Sequence, residues 1–319
     1  MLALRVDNKR LAVRKIAKPA ADGEALIRVL LSGICNTDLE IARGYAGFKG
    51  TIGHEFVGVV EESSNQKLVG KRVVGEINAG CGECALCRAG DPRHCPNHTV
   101  LGIVGRDGAH AELLRLPVEN LLPVPNKITD EHAVFTEPLA AACGIHERAK
   151  ITKTDRVAVI GDGKLGLLCA QVVSLTGAPL LLVGKHESKL RIAKRLGIET
   201  TTPAKATARN GTFDVVIEAS GAAPGFELAL NLLRAKGRLI LKSTFNAPTT
   251  MNASRIVVDE ISIIGSRCGR FQPALDLLSR GAVDVESLIS EEYRLSEGVH
   301  AMERAGQRGV LKVLLRPSA

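Results

Sequence analysis

Residues 157–166, with the sequence VAVIGDGKLG, restrict the possible folds of this chain more than any other stretch. Val157–Ile160 is an uninterrupted apolar run, typical of a central parallel strand that is covered on both faces. Gly161, Gly163 and Gly166 follow in the G-x-G-x-x-G spacing, which permits a tight turn, close approach of a pyrophosphate and packing of the next helix on the strand. The stretch therefore predicts a strand, a turn and a helix.

The glycine pattern alone fits a purely structural turn equally well, so its neighbours decide the interpretation. Residues 165–175 predict a buried helix, Leu180–Val183 a second strand, and residues 187–196 a second helix with a basic outer face. This order is a βαβ unit, which favours a dinucleotide site with the phosphates at the helix N-terminus. The residues that we predict to contact the cofactor at this turn are Gly161, Gly163, Lys164, Leu165 and Gly166.

Composition limits the class of protein and its compartment. The 319 residues are enough for two domains. The net charge of +8 is scattered and only 3% of residues are aromatic, which argues against nucleic-acid binding. The charged N-terminus lacks the apolar core of a signal peptide, and no apolar run is long enough to span a bilayer. We therefore expect a cytoplasmic protein whose eight cysteines are metal ligands or buried thiols rather than disulfides.

Four of the cysteines form the most specific motif in the chain. Cys81, Cys84 and Cys87 are spaced by two residues each, and Cys95 follows after seven more. Four thiolates at such short spacings suit a closed, tetrahedral structural zinc site. An iron–sulfur cluster uses the same ligands and remains an alternative.

A second set of possible ligands lies earlier in the chain. A strand predicted over residues 26–33 leads to Cys35, and His54 and Glu55 precede another apolar stretch. A lone cysteine is usually a buried small hydrophobe and a lone histidine a satisfied polar group. Together, however, a cysteine, a histidine and a carboxylate suit a catalytic zinc, which needs three protein ligands and an open position.

Taken in order, these motifs resemble the zinc-dependent medium-chain dehydrogenases/reductases, the superfamily of alcohol, polyol, threonine and glucose dehydrogenases. The resemblance covers essentially the whole chain. The motifs that carry it are C-N-T-D at Cys35, G-H-E at Gly53, the four-cysteine segment, T-E-P-L at Thr136, C-G at Cys143, the glycine turn, E-A-S-G at Glu218 and I-I-G-S-R at Ile263.

The resemblance implies a fold and two domains. It implies an α/β protein in which residues 144–268 form a Rossmann domain with a doubly wound parallel sheet. A mainly β, GroES-like catalytic zinc domain would comprise residues 1–143 and the returning residues 269–319. The domain crossings would lie near Cys143 and Cys268, with the cofactor cleft between them. A homo-oligomer, either a dimer or a tetramer, is also implied.

The resemblance further assigns roles at the catalytic zinc. Cys35 and His54 match two ligands, and Glu137 matches a position where polyol, sugar and threonine dehydrogenases carry glutamate. Glu55 matches a carboxylate that lies beside the metal or binds it, so the third ligand is either Glu55 or Glu137. Thr37 matches the hydroxyl that hydrogen-bonds the substrate oxygen. Asp38 matches the carboxylate that orients the histidine ligand.

Two departures affect the substrate and the proton path. Relatives often carry a relay histidine five residues after the cysteine, whereas this chain has Glu40. The segments between Cys35 and His54 and between Cys95 and Glu137 are short, so the substrate cannot be inherited from the family. Glu137, together with Glu40, Arg43 and Arg267, suggests a hydrophilic alcohol; solvated surface charges are the alternative.

The remaining chain predicts further elements. The predicted strands are 212–220, 238–242, 261–265 and 312–315, the last returning to the catalytic domain. The predicted helices are 226–235, 272–279 and 297–305, the last with Ser296 as its N-cap.

Cofactor choice is read from the end of the second strand, where NAD-binding sites carry an acidic residue. Here the register places Gly184, followed by Lys185 and His186, with Arg191 one turn into the helix. Cations at this place suit the 2′-phosphate of NADP(H). The alternative is that Lys185 is a solvated loop charge and that Glu187 contacts the ribose.

Together these features predict a dehydrogenase with two zinc ions per chain and a preference for NADP(H). It would transfer hydride between the cofactor and a primary or secondary alcohol, polyol or sugar hydroxyl, or the matching carbonyl. A catalytically inactive zinc- and nucleotide-binding scaffold or sensor is the alternative. An alkene or quinone reductase on the same fold is another, although that branch typically lacks both zinc sites.

Overall fold

The computed structural model describes residues 1–244 and 251–317, which divide into two compact units. The first comprises Met1–Glu137 and the chain from Phe271 onward, and the second is Pro138–Arg270. The division thus falls at Glu137 and at Arg270, and the domain crossings near Cys143 and Cys268 stay a prediction. Among the described residues, no helix combines the length and apolar character needed to cross a membrane.

The strands of the described chain are β1 (Leu2–Asp7), β2 (Arg10–Lys15), β3 (Ala25–Gly33), β4 (Gly50–Thr51), β5 (Glu55–Glu62), β6 (Arg72–Gly75), β7 (Asn78–Ala79), β8 (Thr99–Leu101), β9 (Gly105–Arg106), β10 (Leu113–Leu116), β11 (Leu121–Pro123), β12 (Val157–Ile160), β13 (Leu180–Val183), β14 (Glu199–Thr201), β15 (Phe213–Glu218), β16 (Leu233–Leu241), β17 (Ser262–Gly265), β18 (Ile289–Arg294) and β19 (Lys312–Arg316). The α-helices are α1 (Asn36–Ala42), α2 (Ala85–Arg88), α3 (Asp130–Ala133), α4 (Thr136–Arg148), α5 (Lys164–Ser174), α6 (Glu187–Arg195), α7 (Pro203–Ala206), α8 (Ala223–Leu232), α9 (Ala253–Val258), α10 (Phe271–Ser279) and α11 (Gly298–Ala305).

The first unit is mainly β, as predicted. Its largest sheet has the order β11-β6-β5-β3-β19-β18, with β10 also paired to β3. The central strand β3 runs antiparallel to both β5 and β19. The sheet therefore brings residues from distant parts of the sequence to the end of β3, where the candidate metal ligands begin.

The second unit is a six-stranded parallel sheet in the order β14-β13-β12-β15-β16-β17. In chain order this is 3-2-1-4-5-6, the doubly wound arrangement that binds dinucleotides where the strand order reverses. All four residues of β12 are buried, because helices cover both faces of such a sheet. The predicted Rossmann fold is confirmed.

Two helix predictions need correction. The helix predicted over residues 226–235 is α8, which begins earlier because Pro224 occupies its first turn, where a missing N–H costs no hydrogen bond. The chain turns extended at Leu233, so β16 starts there. Ser296 as an N-cap is wrong: it lies within a 3₁₀ turn, Leu295–Glu297, and Glu297 occupies the N-cap position of α11 without a side-chain hydrogen bond to the helix.

Candidate metal centres and nucleotide-binding turn

The C-N-T-D motif is a helix start. Cys35 directly precedes α1, and its backbone N–H donates to the carboxylate of Asp38, the third helical residue, at 2.7 Å. An acidic side chain at this position satisfies an otherwise unpaired N–H of the first turn and interacts favourably with the helix dipole. The cap fixes the Cys35 backbone, and the Thr37 hydroxyl lies 3.7 Å from the Cys35 sulfur.

His54 and Glu55 reach the same place through strand pairing. β5 begins at Glu55, which pairs across the sheet with Gly33, the last residue of β3. The ligand atoms of Cys35, His54 and Glu55 all lie within 4.8 Å of one another. His54 and Glu55 are almost fully buried. A thiol, an imidazole and a carboxylate at this spacing fit zinc.

Glu137 lies in the first turn of α4 and is half-buried. It does not belong to the group of mutually close donors formed by Cys35, His54 and Glu55. Its assignment as a zinc ligand therefore stays a prediction.

Lys312, which sequence reasoning missed, forms an ion pair with Glu55. Both side chains are 1% exposed. The Lys312 ammonium also lies 3.4 Å from the Ile34 carbonyl oxygen and 5.6 Å from the ring centroid of Phe135. A carboxylate has two oxygens, so one can accept from the lysine while the other remains available to a metal.

Asp38 is fully buried beside the metal-ligand group. Its Oδ1 lies 3.3 Å from Nδ1 of His54, which leaves the Nε2 atom of that ring for a metal. Burial alone would raise the pKa of Asp38, but His54 and His110 lower it far below the usual range. The carboxylate is therefore ionised and can only accept hydrogen bonds.

The four-cysteine segment forms a lobe of the first unit between β7 and β8, two strands of a small three-stranded sheet. The sulfurs of Cys81, Cys84, Cys87 and Cys95 lie within 4.8 Å of one another. Cys84 caps α2 and accepts from the Cys87 N–H at 3.4 Å, while Cys95 accepts from Cys81 N–H at 3.4 Å. Hydrogen bonds from the backbone N–H groups of Glu83 and Cys84 lower the pKa of Cys81 to about 7. Four thiols held this way suit a tetrahedral metal ion.

The glycine turn has the geometry that its spacing predicts. Gly161 has φ of +121°, which disfavours any side chain, and a Cβ on Gly166 would overlap the Gly161 carbonyl oxygen. In contrast, a Cβ on Gly163 would meet nothing within 4 Å. The backbone before α5 is thus open at Gly163, and Lys164 and Leu165 begin the helix there. This turn fits a pyrophosphate at a helix N-terminus.

Asp162, between two of these glycines, was not predicted to have a role. Its Oδ2 accepts from the backbone N–H groups of Lys185 at 2.7 Å and His186 at 2.6 Å, and lies 3.0 Å from the His186 Nδ1 atom. A Cβ on Gly184 would lie 2.6 Å from the Asp162 Cβ. Gly184 does follow β13 as predicted, but the space beside it is filled by this carboxylate.

Charged residues follow β13 around the contact between Asp162 and the following backbone. Burial would raise the pKa of Asp162, yet the hydrogen bonds from His186 and Lys185 hold it below its usual range. The side chains of Lys185 and Arg191 are exposed. Glu187, the alternative ribose contact, pairs instead with Lys194 at 2.8 Å along the outer face of α6.

Comparison with known proteins agrees with both units. Residues 21–126 match the family model described as alcohol dehydrogenase GroES-like domain, and residues 165–280 match the one described as zinc-binding dehydrogenase. The sorbitol dehydrogenase of Halalkalibacterium halodurans is 33% identical over 313 residues, covering 91% of each chain.

Two solved structures have the same fold over nearly the whole chain. One is a zinc-binding dehydrogenase from Sinorhizobium meliloti 1021 bound to NADP, with 29% identity, 99% of each chain covered and a TM-score of 0.90. The other is the alcohol dehydrogenase rspB from Escherichia coli CFT073 complexed with NADH, with 27% identity, 99% of each chain covered and a TM-score of 0.91.

Proposed function

This chain belongs to the zinc-dependent medium-chain dehydrogenase/reductase family, and from that premise we propose that it interconverts a polyol or sugar hydroxyl and the matching carbonyl with NADP(H). The chain is an oxidoreductase of the zinc type that works with a nicotinamide cofactor. We propose its substrate class, its cofactor preference and the roles of its residues. A homo-oligomeric state and a cytoplasmic location are proposed only from the sequence.

The observation that carries the proposal is the convergence of Cys35, His54 and Glu55 beside the Thr37 hydroxyl. We assign these three residues to one zinc ion and the four cysteines of the lobe to a second. Glu137 is the alternative third ligand. When bound, zinc lowers the pKa of a nearby hydroxyl, and the nicotinamide accepts or donates the hydride.

The residues around the zinc site have separate tasks. Thr37 is half-buried next to the Cys35 sulfur, so its hydroxyl is placed to hydrogen-bond the substrate hydroxyl and to relay its proton, taking that proton while releasing its own to solvent. Asp38 lies beside Nδ1 of His54 and orients its imidazole ring. Glu40, at the position of the relay histidine, pairs with Arg43 at 2.7 Å.

The proposed substrate class rests on polar side chains and on one relative. Glu40 on α1, the helix that carries Thr37, and Arg43 directly after it provide charge, and the relative with 33% identity is named for sorbitol. Initial rates on sorbitol, xylitol, arabinitol and simple alcohols test the assignment. A polyol should have the highest kcat/KM, whereas a large advantage for long-chain or aromatic alcohols would overturn it.

The proposed NADP preference rests on the cations after β13. Asp162 is engaged by backbone N–H groups and the His186 ring, and Glu187 by Lys194. Exposed Lys185 and Arg191 then set the charge offered to a 2′-phosphate. The NADP-bound structure from S. meliloti and the NADH-bound one from E. coli indicate that this fold accepts either cofactor.

The ratio of kcat/KM for NADP and NAD tests this preference in the unaltered protein and in Lys185→Ala. The variant should lose most of the preference, mainly through KM for NADP. Lys205→Ala, which removes an exposed charge elsewhere in the second unit, is the matched control and should keep it. An original preference for NAD, or an unchanged ratio in Lys185→Ala, contradicts the assignment.

A further inference from the structure

His110 is a fully buried histidine that neither the motifs nor the proposed zinc ligands include. Its backbone is fixed on both sides: its N–H donates to the Ile52 carbonyl at 2.9 Å, and its carbonyl accepts from Leu4 N–H at 2.8 Å. Burial of a polar ring costs free energy unless its nitrogens find partners. The two ring nitrogens of His110 therefore need polar neighbours.

The His110 ring packs against the glycine of the G-H-E motif. A Cβ on Gly53 would lie 2.6 Å from the Cγ and Nδ1 atoms of His110. Gly53 also has φ of +98°, in the region that favours glycine. Any side chain at position 53 would displace His110, so the residue before His54 and the buried ring are sterically matched.

The two ring nitrogens of His110 face two different polar groups. Nδ1 lies 2.9 Å from the hydroxyl oxygen of Ser32, and Nε2 lies 3.5 Å from Oδ2 of Asp38. Both oxygens of Asp38 accept backbone N–H groups, so the carboxylate faces Nε2 of His110 as an acceptor, although at 3.5 Å this nitrogen forms no hydrogen bond in the described structure. A proton on Nε2 is the tautomer that suits such a neighbour. In the neutral ring Nδ1 is then an acceptor, and the Ser32 hydroxyl donates to it.

Four polar groups lie around the Asp38 carboxylate. The backbone N–H of Cys35 donates at 2.7 Å and that of Gly53 at 3.2 Å. The rings of His54 and His110 face it at 3.3 and 3.5 Å. Only the two backbone N–H groups form hydrogen bonds, because neither of the facing ring nitrogens has a hydrogen-bond partner in the described structure. A carboxylate offers about four lone-pair sites, so Asp38 still has acceptor capacity for both rings.

We propose that His110 is a positioning residue of the zinc site: supported by Ser32, it fixes the Asp38 carboxylate and, through Asp38, the orientation of the His54 ring toward the metal. This role rests on the proposed function, since it takes Cys35 and His54 as zinc ligands. Partners of metal-bound histidines typically contribute about 10–100-fold to metal affinity or activity. His110 acts one step further out, through the carboxylate.

His110→Phe and His110→Gln separate positioning from packing. Phenylalanine keeps a ring of similar size but cannot donate to Asp38, whereas the glutamine amide can reach the former Nε2 position and donate. Native mass spectrometry with increasing chelator follows the loss of one zinc from the two-zinc protein, and cobalt substitution gives a spectrum of the same site.

The expected result is zinc affinity about 10-fold weaker in His110→Phe, with an altered cobalt spectrum and a lower kcat at unchanged KM for the cofactor. His110→Gln should regain most of the affinity. Ile27→Ala, at a fully buried position of the same unit, is a control that should lower stability without changing the cobalt spectrum. If His110→Phe does not fold, Ser32→Ala, which removes the donor to Nδ1, should produce a smaller change in the same direction.

Original zinc affinity and cobalt spectrum in His110→Phe, with only lowered stability, would overturn the positioning role. An absence of rescue by His110→Gln alongside intact folding would also contradict it. Failure of the proposed function gives a different result. In that case the unaltered protein holds no zinc that depends on Cys35, and Cys35→Ser binds as much zinc as the original.

Discussion

Replacing Lys312 by methionine should destabilise the first unit by a large amount. The Lys312–Glu55 pair is 1% exposed on both sides, so water cannot solvate the carboxylate once the ammonium is removed. Methionine keeps most of the apolar stem, which limits any cavity. Breaking one side of a buried ion pair typically costs about 3–5 kcal/mol. We expect this loss in the zinc-depleted protein.

Zinc should reduce that loss, because a cation beside Glu55 takes over part of the role of the ammonium. The double variant Lys312→Met with Glu55→Gln should also be more stable than Lys312→Met alone, since no charge is left unpaired. Arg28→Met is the control in the same unit: its pair with Glu61 is 50% and 40% exposed, and such pairs contribute less than about 1 kcal/mol.

Urea unfolding followed by tyrosine fluorescence measures these differences in the relevant unit. The chain has no tryptophan and two tyrosines, Tyr45 and Tyr293, and both belong to the first unit. The signal therefore reports the unit that contains Lys312. A loss for Lys312→Met no greater than that for Arg28→Met would refute the reasoning that Glu55 depends on a buried partner.

Three further predictions concern the metal sites. His54→Ala should abolish turnover and leave folding nearly intact, whereas Cys84→Ser should mainly lower the folded yield; the reverse pattern in circular dichroism and activity assays would mean that the two sites are misassigned. In zinc-depleted protein Cys81 should be alkylated fastest among the lobe cysteines, with a rate that rises with pH around 7. The reason is that its pKa is lowered to about 7 and the thiolate is the nucleophile. Mass spectrometry identifies the modified residue, and an alkylation rate that stays low up to pH 9 contradicts the assignment. Glu55→Gln should weaken zinc retention at the Cys35 site more than Glu137→Gln does, as measured by chelator competition, and the opposite order would identify Glu137 as the third ligand.

The local parts of the site could be predicted from the sequence because their spacing is set by short pieces of backbone. Cys35 and Asp38 lie at the two ends of one helical cap, and Cys84 caps the short helix that carries Cys87. The same holds for the glycine turn, where each glycine is required by backbone closeness within a few residues. In motifs of this kind, the residues that set the geometry lie within the motif itself.

Partners from distant segments could not be predicted in this way. Lys312 reaches Glu55 only because β19 and β5 both pair with β3 around Gly33, and a lysine in a strand is ordinarily expected to face solvent. His110 reaches Asp38 from a segment held by Leu4 and Ile52. No local pattern marks either residue, since burial of a cation or an imidazole depends on the tertiary partner.

Asp162 had the least visible role in the sequence, because the second position of the glycine motif is normally unspecified. The sequence predicted that Gly184 stands at the end of β13, where NAD-binding sites usually carry an acidic residue, and Gly184 does follow β13. The structure adds that Asp162 fills the space beside it and binds the N–H groups of the following segment. The position of Gly184 could be predicted from the register of the strand, whereas its contact with Asp162 depends on how β12 and β13 pair.

The central claim is that turnover depends on zinc held by Cys35 and His54 and on NADP(H). The most direct test measures zinc per chain and the rate of polyol oxidation with NADP and NAD in one preparation, before and after partial chelation. We predict two zinc ions per chain, faster turnover with NADP at limiting cofactor, and loss of turnover in parallel with loss of one zinc. Full turnover after that zinc is removed would contradict the claim, as would binding of zinc and nucleotide without oxidation of any alcohol.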